Sequence, residues 1–305
     1  MSRPNPAVGA IVVKDGRVVG RGWTQPGGRP HAEANALAMA GDSARGATLY
    51  VTLEPCAHAS PRGPACADLA AAAGLARVVA AVHDPDPRTA GAGLARIAAA
   101  GVATALVACP VAEAGLAGYL SRQRKQRPHI TLKLALSLDG GIALASGESR
   151  WITGPEARAH AHLERARADA ILVGGGTLRA DTPQLDVRLA GLEARSPQRW
   201  VLTRGAAPAG WNALSSPDDL GAMADVQYLL VEGGAHAAAA FLQADLVDRL
   251  LIYRAPIVIG GGLPGIAELG LTDLAAAHGR WQHSDSRRLG NDRLEVYERT
   301  VCSPA

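Results

Sequence analysis

PHAE (residues 30–33) lies in the segment that decides the fold, GGRPHAEANALAMAG (residues 27–41). The Ala-rich run after His31 predicts a helix, and Gly41 suits its C-terminal cap. Two residues along a regular helix turn through about 200°, so the side chains of His31 and Glu33 would point apart if both were helical. If His31 instead occupies the cap position, its backbone is not yet helical, and the two side chains can serve one site.

A second segment, TLEPCAHASPRGPACADLA (residues 52–70), supplies two cysteines. Cys56 follows a predicted strand, and Cys66 begins a predicted helix. One imidazole and two thiolates are good ligands for zinc, and three protein ligands leave a fourth position for water. Strand ends and helix starts of one parallel sheet lie on one edge. We therefore predict that His31, Cys56 and Cys66 bind zinc and that Glu33 is the catalytic proton shuttle of a hydrolytic deamination.

The order of these residues carries more information than any one of them. A single histidine at a helix start is commonly a surface residue, and buried cysteines are commonly inert. However, His-x-Glu followed by Pro-Cys and a second Cys is the signature of zinc-dependent deaminases. The spacing departs from that signature, because nine residues separate Cys56 from Cys66 where the signature has two.

The pattern of elements predicts two α/β domains. In the first, over residues 1–120, a hairpin around Asp15-Gly16 precedes alternating helices and strands, so we expect a sheet that is parallel after the hairpin. The basic stretch SRQRKQRP (residues 121–128) is interpreted as a linker. The second domain, over residues 129–305, again alternates strands and helices. It lacks a G-x-G-x-x-G after its first strand, which disfavours a Rossmann domain.

Two glycine-bearing turns follow strands in the second domain, at Gly174-Gly-Gly-Thr177 and Glu232-Gly-Gly-Ala235. Such a turn at a helix start lets backbone N–H groups approach a pyrophosphate. An ordinary tight turn is the alternative interpretation.

Composition bounds the possible partners and the location. The formal charge of +3 on 305 residues does not favour a nucleic-acid partner. Four cysteines are too few for a disulfide scaffold in this length. No apolar run reaches the roughly 20 residues that span a bilayer, and the first residues do not resemble a secretory signal. We expect a cytoplasmic protein that acts on small molecules, without a membrane partner, and that forms a homo-oligomer, a dimer or higher.

Three segments together resemble one family: RPNPAVG (residues 3–9), the long loop between the two cysteines, and LKLALSLDGGIALASGESRWITG (residues 132–154). They are similar to the bifunctional riboflavin-biosynthesis deaminase–reductases over nearly the whole chain. The resemblance implies a cytidine-deaminase-like α/β/α domain followed by a dihydrofolate-reductase-like α/β domain. It also implies zinc-dependent deamination of 2,5-diamino-6-(5-phosphoribosylamino)pyrimidin-4-one, and then NADPH-dependent reduction of 5-amino-6-(5-phosphoribosylamino)uracil to its ribityl form.

The resemblance also assigns site residues, which are carried over position by position. In the deaminase domain, Asn5 and His58 would contact the pyrimidine or its ribose, and Arg62 the phosphate. In the reductase domain, the residues at substrate positions are Ser149, Arg165, Leu185, Arg188 and Glu232, with the two arginines beside the phosphate. The residues at NADPH positions are Ala135, Trp151, Thr177, Asp181, Thr203, Gly234, Ala235, His236, Ala237, Ala238, Ala239 and Ala240.

The sequence departs from the family pattern in two places, and three alternative functions are compatible with it. The family usually has a helix before the Pro-Asn-Pro segment, so we expect either that an apolar face of the first sheet is exposed or that this sequence starts inside the true gene. The segment from Thr203 to Val231 is short, so an outer strand–helix unit of the reductase is expected to be missing. The alternatives are another zinc deaminase with an unrelated C-terminal domain, a structural zinc module fused to a nucleotide-binding domain, and a family member with one degenerate domain.

Overall fold

A computed structural model describes residues 2–58 and 60–300 of the chain. The chain divides after Gln126 into two compact units. None of the helices in the described residues combines the length and the apolar character that crossing a bilayer requires. Each unit is built around its own sheet, so the two are described separately.

The first unit has a five-stranded sheet in the order β2-β1-β3-β4-β5 over its described residues. Strand β1 is antiparallel to β2 and to β3, whereas β3, β4 and β5 are mutually parallel. The strands are β1 (Gly9–Lys14), β2 (Arg17–Trp23), β3 (Thr48–Val51), β4 (Arg77–Ala80) and β5 (Ala103–Leu106). The helices are α1 (Ala32–Ala40), α2 (Cys66–Ala72), α3 (Ala92–Ala99), α4 (Pro110–Gly115) and α5 (Ala117–Lys125). The predicted hairpin and the parallel order after it are confirmed.

The hairpin turn shows why this sequence folds locally. Asp15 and Gly16 have φ values of 48° and 73°, which is the left-handed backbone of a type I′ turn. The turn joins Lys14 directly to Arg17, and the alternation of β1 then buries Ala10 and Val12 against α1.

One face of the first sheet carries an apolar surface that is open to solvent. Ile11 is 38% exposed, Tyr50 44% and Trp23 65%, and all three line a groove of about 750 Å³. The exposed apolar face expected from the sequence is therefore present.

The second unit has an eight-stranded sheet in the order β10-β9-β8-β11-β6-β12-β15-β14 over residues 127–300. The six strands from β10 to β12 are parallel, and β15 and β14 continue the sheet as an antiparallel hairpin. The strands of this sheet are β6 (His129–Leu136), β8 (Ala170–Gly174), β9 (Gln198–Leu202), β10 (Asn212–Leu214), β11 (Tyr228–Val231), β12 (Arg249–Arg254), β14 (Trp281–Leu289) and β15 (Asp292–Arg299). Two short strands, β7 (Gly141–Ala143) and β13 (Leu263–Pro264), form a separate antiparallel pair. The helices are α6 (Pro155–Arg167), α7 (Gly175–Asp181) and α8 (Ala235–Gln243).

Four local features differ from what the sequence predicts. Residues 121–125, expected in the linker, belong to α5, because Arg, Gln and Lys are good helix formers and Gln126 ends the helix with a left-handed backbone. The glycine-bearing turn expected at residues 174–177 is instead the start of the helix α7. The short segment after Thr203 retains an outer strand, β10, which is followed by a 3-10 turn at Pro217–Ala222. Strand β14 was missed because its side chains are mostly exposed and show no apolar alternation.

Candidate active sites

Three metal-binding side chains come together at the carboxyl edge of the first sheet. His31 is the N-cap of α1 and has an extended backbone (φ −73°, ψ 164°), as predicted, while Cys66 is the first residue of α2. His31 Nδ1 lies 3.3 Å from Cys66 Sγ and 3.6 Å from Cys56 Sγ. The three ligand atoms all lie within 4.8 Å of one another. The long loop between the cysteines thus does not prevent them from meeting.

The donor set fits zinc. With Zn–N and Zn–S distances of about 2.0–2.3 Å, tetrahedral ligands stand roughly 3.5–3.8 Å apart, close to the spacings seen here. A hydrogen bond from the Cys66 thiol lowers the pKa of Cys56 to about 4 despite the opposing effect of burial. The backbone N–H of Cys66 also donates to Cys56 Sγ at 3.3 Å. A thiolate is the form that binds metal.

Glu33 lies in the first turn of α1 and lines the same cavity as His31 and Cys56. Its side chain is buried, with 3% of the residue exposed. Burial raises the pKa of Glu33 to about 7. A carboxyl group whose pKa is near neutrality can both accept and donate a proton, which is the role predicted for it.

The cavity beside the cysteines holds about 470 Å³, and Asn5, His58 and Arg62 all line it. Asn5 Nδ2 lies 3.2 Å from His31 Nε2 and donates to the carbonyl of Gly28 at 3.1 Å. Gly28 has a φ of 87°, and a Cβ there would lie 2.5 Å from Asn5 Cγ, so glycine is required. Asn5 therefore contacts the far nitrogen of the imidazole as well as the cavity.

His58 and Arg62 form another part of this cavity wall. His58 Nδ1 is buried without a hydrogen-bond partner in the described structure, so a ligand could supply one. Arg62 Nη1 donates to the carbonyl of Gly27 at 2.9 Å. The structure brings all three predicted substrate residues of the first unit to one cavity.

The sequence interpretation missed an acidic wall of the same cavity. Asp84, Asp86 and Tyr119 line it, and the Tyr119 hydroxyl donates to Asp84 Oδ1 at 2.6 Å. Burial raises the pKa of Asp84. Glu54 anchors this loop by accepting from the backbone N–H groups of Asp84, Gly91 and Leu94. Carboxylates shortly after a buried strand were the signal that could have identified this wall.

In the second unit, Glu232 forms a buried charged group with two cations. Arg165 Nε and Nη2 donate to its two oxygens at 2.7 and 2.9 Å, and Lys133 Nζ lies 3.6 Å from Oε2. The Lys133 side chain is 19% exposed. Lys133 was not among the predicted site residues. Its signal is an isolated lysine on β6, a strand whose other side chains are mostly apolar.

The charge state of Glu232 follows from these contacts. Burial opposes the ionisation of Glu232. The positive charges of Lys133 and Arg165 and their hydrogen bonds outweigh burial and lower the pKa of Glu232 to about 2 from the ordinary 4.5. Because the pKa is lowered in the folded state, the contribution of Glu232 to stability is present above about pH 4.5 and is lost as the pH falls through about 2. The group stays ionised near neutral pH.

Two of the other predicted substrate residues, Leu185 and Arg188, lie in the segment that contacts Arg165. Leu185 is buried with a φ of 55°, and Arg188 Nε lies 3.3 Å from Asp186 Oδ1 with its side chain 60% exposed. Arg165 Nη1 also donates to the carbonyl of Asp186 at 3.0 Å. Ser149 lies in the connection between β7 and α6. The guanidinium of Arg165 is thus occupied by Glu232, so of the two arginines predicted beside the phosphate, Arg188 is the more accessible to a ligand.

The predicted NADPH residues gather where parallel strands end. Gly234 is the N-cap of α8, and its backbone N–H donates to Thr177 Oγ1 at 3.0 Å. A Cβ at Gly175 would stand 3.5 Å from Thr203 Oγ1, and one at Gly233 only 2.4 Å from Ala237 Cβ. The close junction of α7, α8 and β9 leaves the first turn of α8 at the sheet edge, and the N-terminus of a helix suits a phosphate.

Three further predicted NADPH positions lie outside that junction. Ala135 is on β6, two residues from Lys133 on the same face, and Asp181 ends α7. Trp151 follows β7 and is 64% exposed, with the Arg158 guanidinium 4.6 Å from its ring centroid. Residues Ala235 to Ala240, with His236 among them, form the first two-thirds of α8.

Comparison with known protein families identifies both halves of the chain. Residues 2–82 match the family model described as the cytidine and deoxycytidylate deaminase zinc-binding region. Residues 128–210 and 218–294 match the model described as the RibD C-terminal domain. The first match contains all three residues of the His31, Cys56 and Cys66 cluster, and the second contains Lys133, Arg165 and Glu232.

Individual proteins are similar over almost the full length. Riboflavin biosynthesis protein RibD of Escherichia coli K12 is 40% identical, with 95% of this chain and 92% of the relative covered. The Mycobacterium tuberculosis H37Rv protein of the same name is also 40% identical, with 95% and 90% covered. A solved structure of Acinetobacter baumannii RibD superposes with a TM-score of 0.87 at 34% identity, covering 98% of this chain and 93% of that one. A Thermotoga maritima structure, described as a diaminohydroxyphosphoribosylaminopyrimidine deaminase and 5-amino-6-(5-phosphoribosylamino)uracil reductase, gives 0.87 at 30% identity, covering 98% and 94%.

Proposed function

The chain belongs to the riboflavin biosynthesis protein RibD family, and from that premise we propose how its own residues divide the work of a deaminase and a reductase. The protein is an enzyme with both activities, as the sequence predicted, and an unrelated C-terminal domain is excluded by the RibD C-terminal match. The first unit is the deaminase and the second the reductase, divided near residue 126. The substrates proposed are the phosphoribosylamino-pyrimidines of the Thermotoga relative.

In the first unit, His31, Cys56 and Cys66 would hold zinc, which when bound makes water a nucleophile near neutral pH. Glu33 accepts a proton as the new C–O bond forms, and returns it to the exocyclic nitrogen as the C–N bond breaks and ammonia leaves. Asn5 lies beside the far nitrogen of the His31 imidazole and lines the cavity that would receive the substrate. His58 and Arg62 face the rest of the substrate in the same cavity.

In the second unit, Thr177, Thr203 and the first turns of α8 would hold NADPH, which when bound would supply a hydride. Reduction of a ribosylamino group to a ribityl chain breaks the bond between the ribose ring oxygen and C1. The hydride adds to C1, and the ring oxygen takes a proton. The Lys133 ammonium is the proton donor that we assign, because it lies at the edge of the buried Glu232 and Arg165 group and is itself partly accessible. Arg188 binds the phosphate.

One observation carries the proposal: a His, Cys and Cys cluster stands beside a buried glutamate in a cavity. To test it, zinc-loaded protein is incubated with the diaminopyrimidine phosphate, with and without NADPH. Products are identified by mass. Deaminated product without NADPH, and its ribityl form with NADPH, are expected. A chain that yields only one of the two products has one inactive site, which is the degenerate alternative.

Cys66→Ser is expected to lower bound zinc at least tenfold and to abolish deamination. A serine hydroxyl is a much poorer zinc ligand than a thiolate at neutral pH. Metal content is measured on purified protein. Cys109→Ser, which changes an exposed cysteine, is the matched control. Normal zinc in the Cys66 variant would mean that the nine-residue spacing does not define the site.

Arg188→Ala is expected to raise the KM of the reductase for its phosphorylated substrate about tenfold to a hundredfold, since a charge-assisted hydrogen bond contributes roughly 1.5–3 kcal/mol. The KM for NADPH and the deaminase rate should be unchanged. Arg195→Ala, an exposed arginine in the same connection, is the matched control. An unchanged substrate KM in the Arg188 variant would assign the phosphate to other residues.

Location and assembly remain predictions. The small formal charge of +3 supports small-molecule substrates without a nucleic-acid partner. A cytoplasmic homo-oligomer is still expected, and light scattering on the purified full chain measures its assembly state.

A further inference from the structure

The segment from Leu185 to Arg188 has a conformation that other contacts must maintain. Leu185 has a φ of 55°, a left-handed backbone that costs an ordinary residue free energy. Leu185 and Val187 are buried, and the backbone N–H of Val187 donates to Ser196 Oγ at 2.9 Å. The segment ends at Arg188, whose side chain points out and is largely exposed.

Helix α6 supplies two contacts to this segment, from residues one turn apart. Arg165 Nη1 donates to the carbonyl of Asp186 at 3.0 Å. His162 Nδ1 lies 3.1 Å from the same carbonyl and 3.2 Å from the backbone N of Arg188. One ring nitrogen cannot donate to the carbonyl and accept from the N–H at the same time. Arg165 already donates to the carbonyl of Asp186. If His162 Nδ1 accepts from the backbone N–H of Arg188, both the carbonyl and the N–H have a hydrogen-bond partner.

We propose that His162 is a positioning residue of the reductase, whose unprotonated Nδ1 holds the backbone of Arg188 so that its guanidinium meets the substrate phosphate. The inference rests on the phosphate-binding role of Arg188 proposed above. Burial, together with the positive charges of Arg165 and Arg188, lowers the pKa of His162 and so favours the neutral ring. His162 itself touches neither the phosphate nor the cofactor in this scheme.

Replacing His162 with asparagine or with glutamine distinguishes a role of Nδ1 from a role of Nε2. The amide oxygen of asparagine is as many bonds from Cα as Nδ1 is, whereas the amide oxygen of glutamine is as many bonds from Cα as Nε2 is. His162→Gln is therefore expected to raise the KM for 5-amino-6-(5-phosphoribosylamino)uracil about tenfold, with kcat within about twofold and the KM for NADPH unchanged. His162→Asn should recover most of that affinity. His278→Gln, an exposed histidine elsewhere in the unit, is the matched control.

A double-mutant cycle then tests the route through Arg188. In an Arg188→Ala background, His162→Gln should change the substrate KM less than about twofold, because the group that it positions is gone. Equal losses from glutamine and asparagine, or rescue by glutamine alone, would overturn the inference. The inference would also be overturned if the effects of His162→Gln and Arg188→Ala on the substrate KM were fully additive.

The same data separate this inference from the function on which it rests. If Arg188→Ala alone leaves the substrate KM unchanged, the phosphate role of Arg188 is wrong, and the role of His162 is lost with it. If Arg188→Ala raises the KM and His162→Gln does not, only the His162 inference is wrong. Circular dichroism and the KM for NADPH monitor folding of the reductase unit. Should the glutamine variant unfold, Ser196→Ala removes the neighbouring anchor and is expected to raise the same KM without a change in kcat.

Discussion

Glu33→Gln is expected to lower the deaminase turnover number by about 10²–10⁴-fold while bound zinc stays stoichiometric with the chain. The amide keeps the shape of the carboxyl group in a buried position but cannot accept a proton. Zinc should remain because its three predicted ligands, His31, Cys56 and Cys66, are untouched. The rate is measured by ammonia release, and the zinc by metal analysis on the same sample.

Two comparisons make this result specific. Glu113→Gln changes a glutamate that is largely exposed on α4 and should leave both rate and zinc unchanged. Reduction of the already deaminated substrate should also be normal in the Glu33 variant, since that reaction belongs to the other unit. Loss of zinc from the Glu33 variant would make Glu33 a ligand, and normal turnover would remove it from catalysis.

Lys133→Met is expected to lower the turnover number of the reductase by about 10²–10⁴-fold, the usual range for the loss of a general acid. Methionine retains much of the length and apolar contact of the lysine stem and removes the ammonium. Arg165 still neutralises Glu232 through two hydrogen bonds, so the buried carboxylate keeps a partner. The KM for NADPH should change less than about threefold. The rate is followed by NADPH oxidation with the deaminated substrate.

The matched control for this variant is Lys14→Met, which changes a lysine on the hairpin of the other unit. Circular dichroism reports whether the reductase unit of the Lys133 variant is folded, and ammonia release monitors only the other unit. Normal reduction in the folded variant would show that the proton comes from elsewhere. A large rise in the KM for NADPH with an unchanged turnover number would make Lys133 a cofactor contact instead.

The sequence by itself determined the ordered chemistry and the main frame of the fold. His31 could be placed at a helix cap because cap residues, Ala-rich runs and terminal glycines act locally. The hairpin at Asp15-Gly16 and the buried parallel strands followed from turn chemistry and apolar runs in the same way. The motif order identified a zinc-dependent deaminase even though the spacing of Cys56 and Cys66 departs from the usual one.

Only the tertiary structure decided which distant residues share a site. Lys133 and Glu232 are almost one hundred positions apart, and they meet because β6 and β11 are neighbours in the parallel sheet. The contact of His162 with Arg188 arises in the same way, because the fold packs α6 against a segment that lies more than twenty residues further along the chain. Strand β14 was missed because an exposed strand needs no apolar pattern. Local rules thus determine elements and motifs, whereas the charge environment of each group depends on what the fold places next to it.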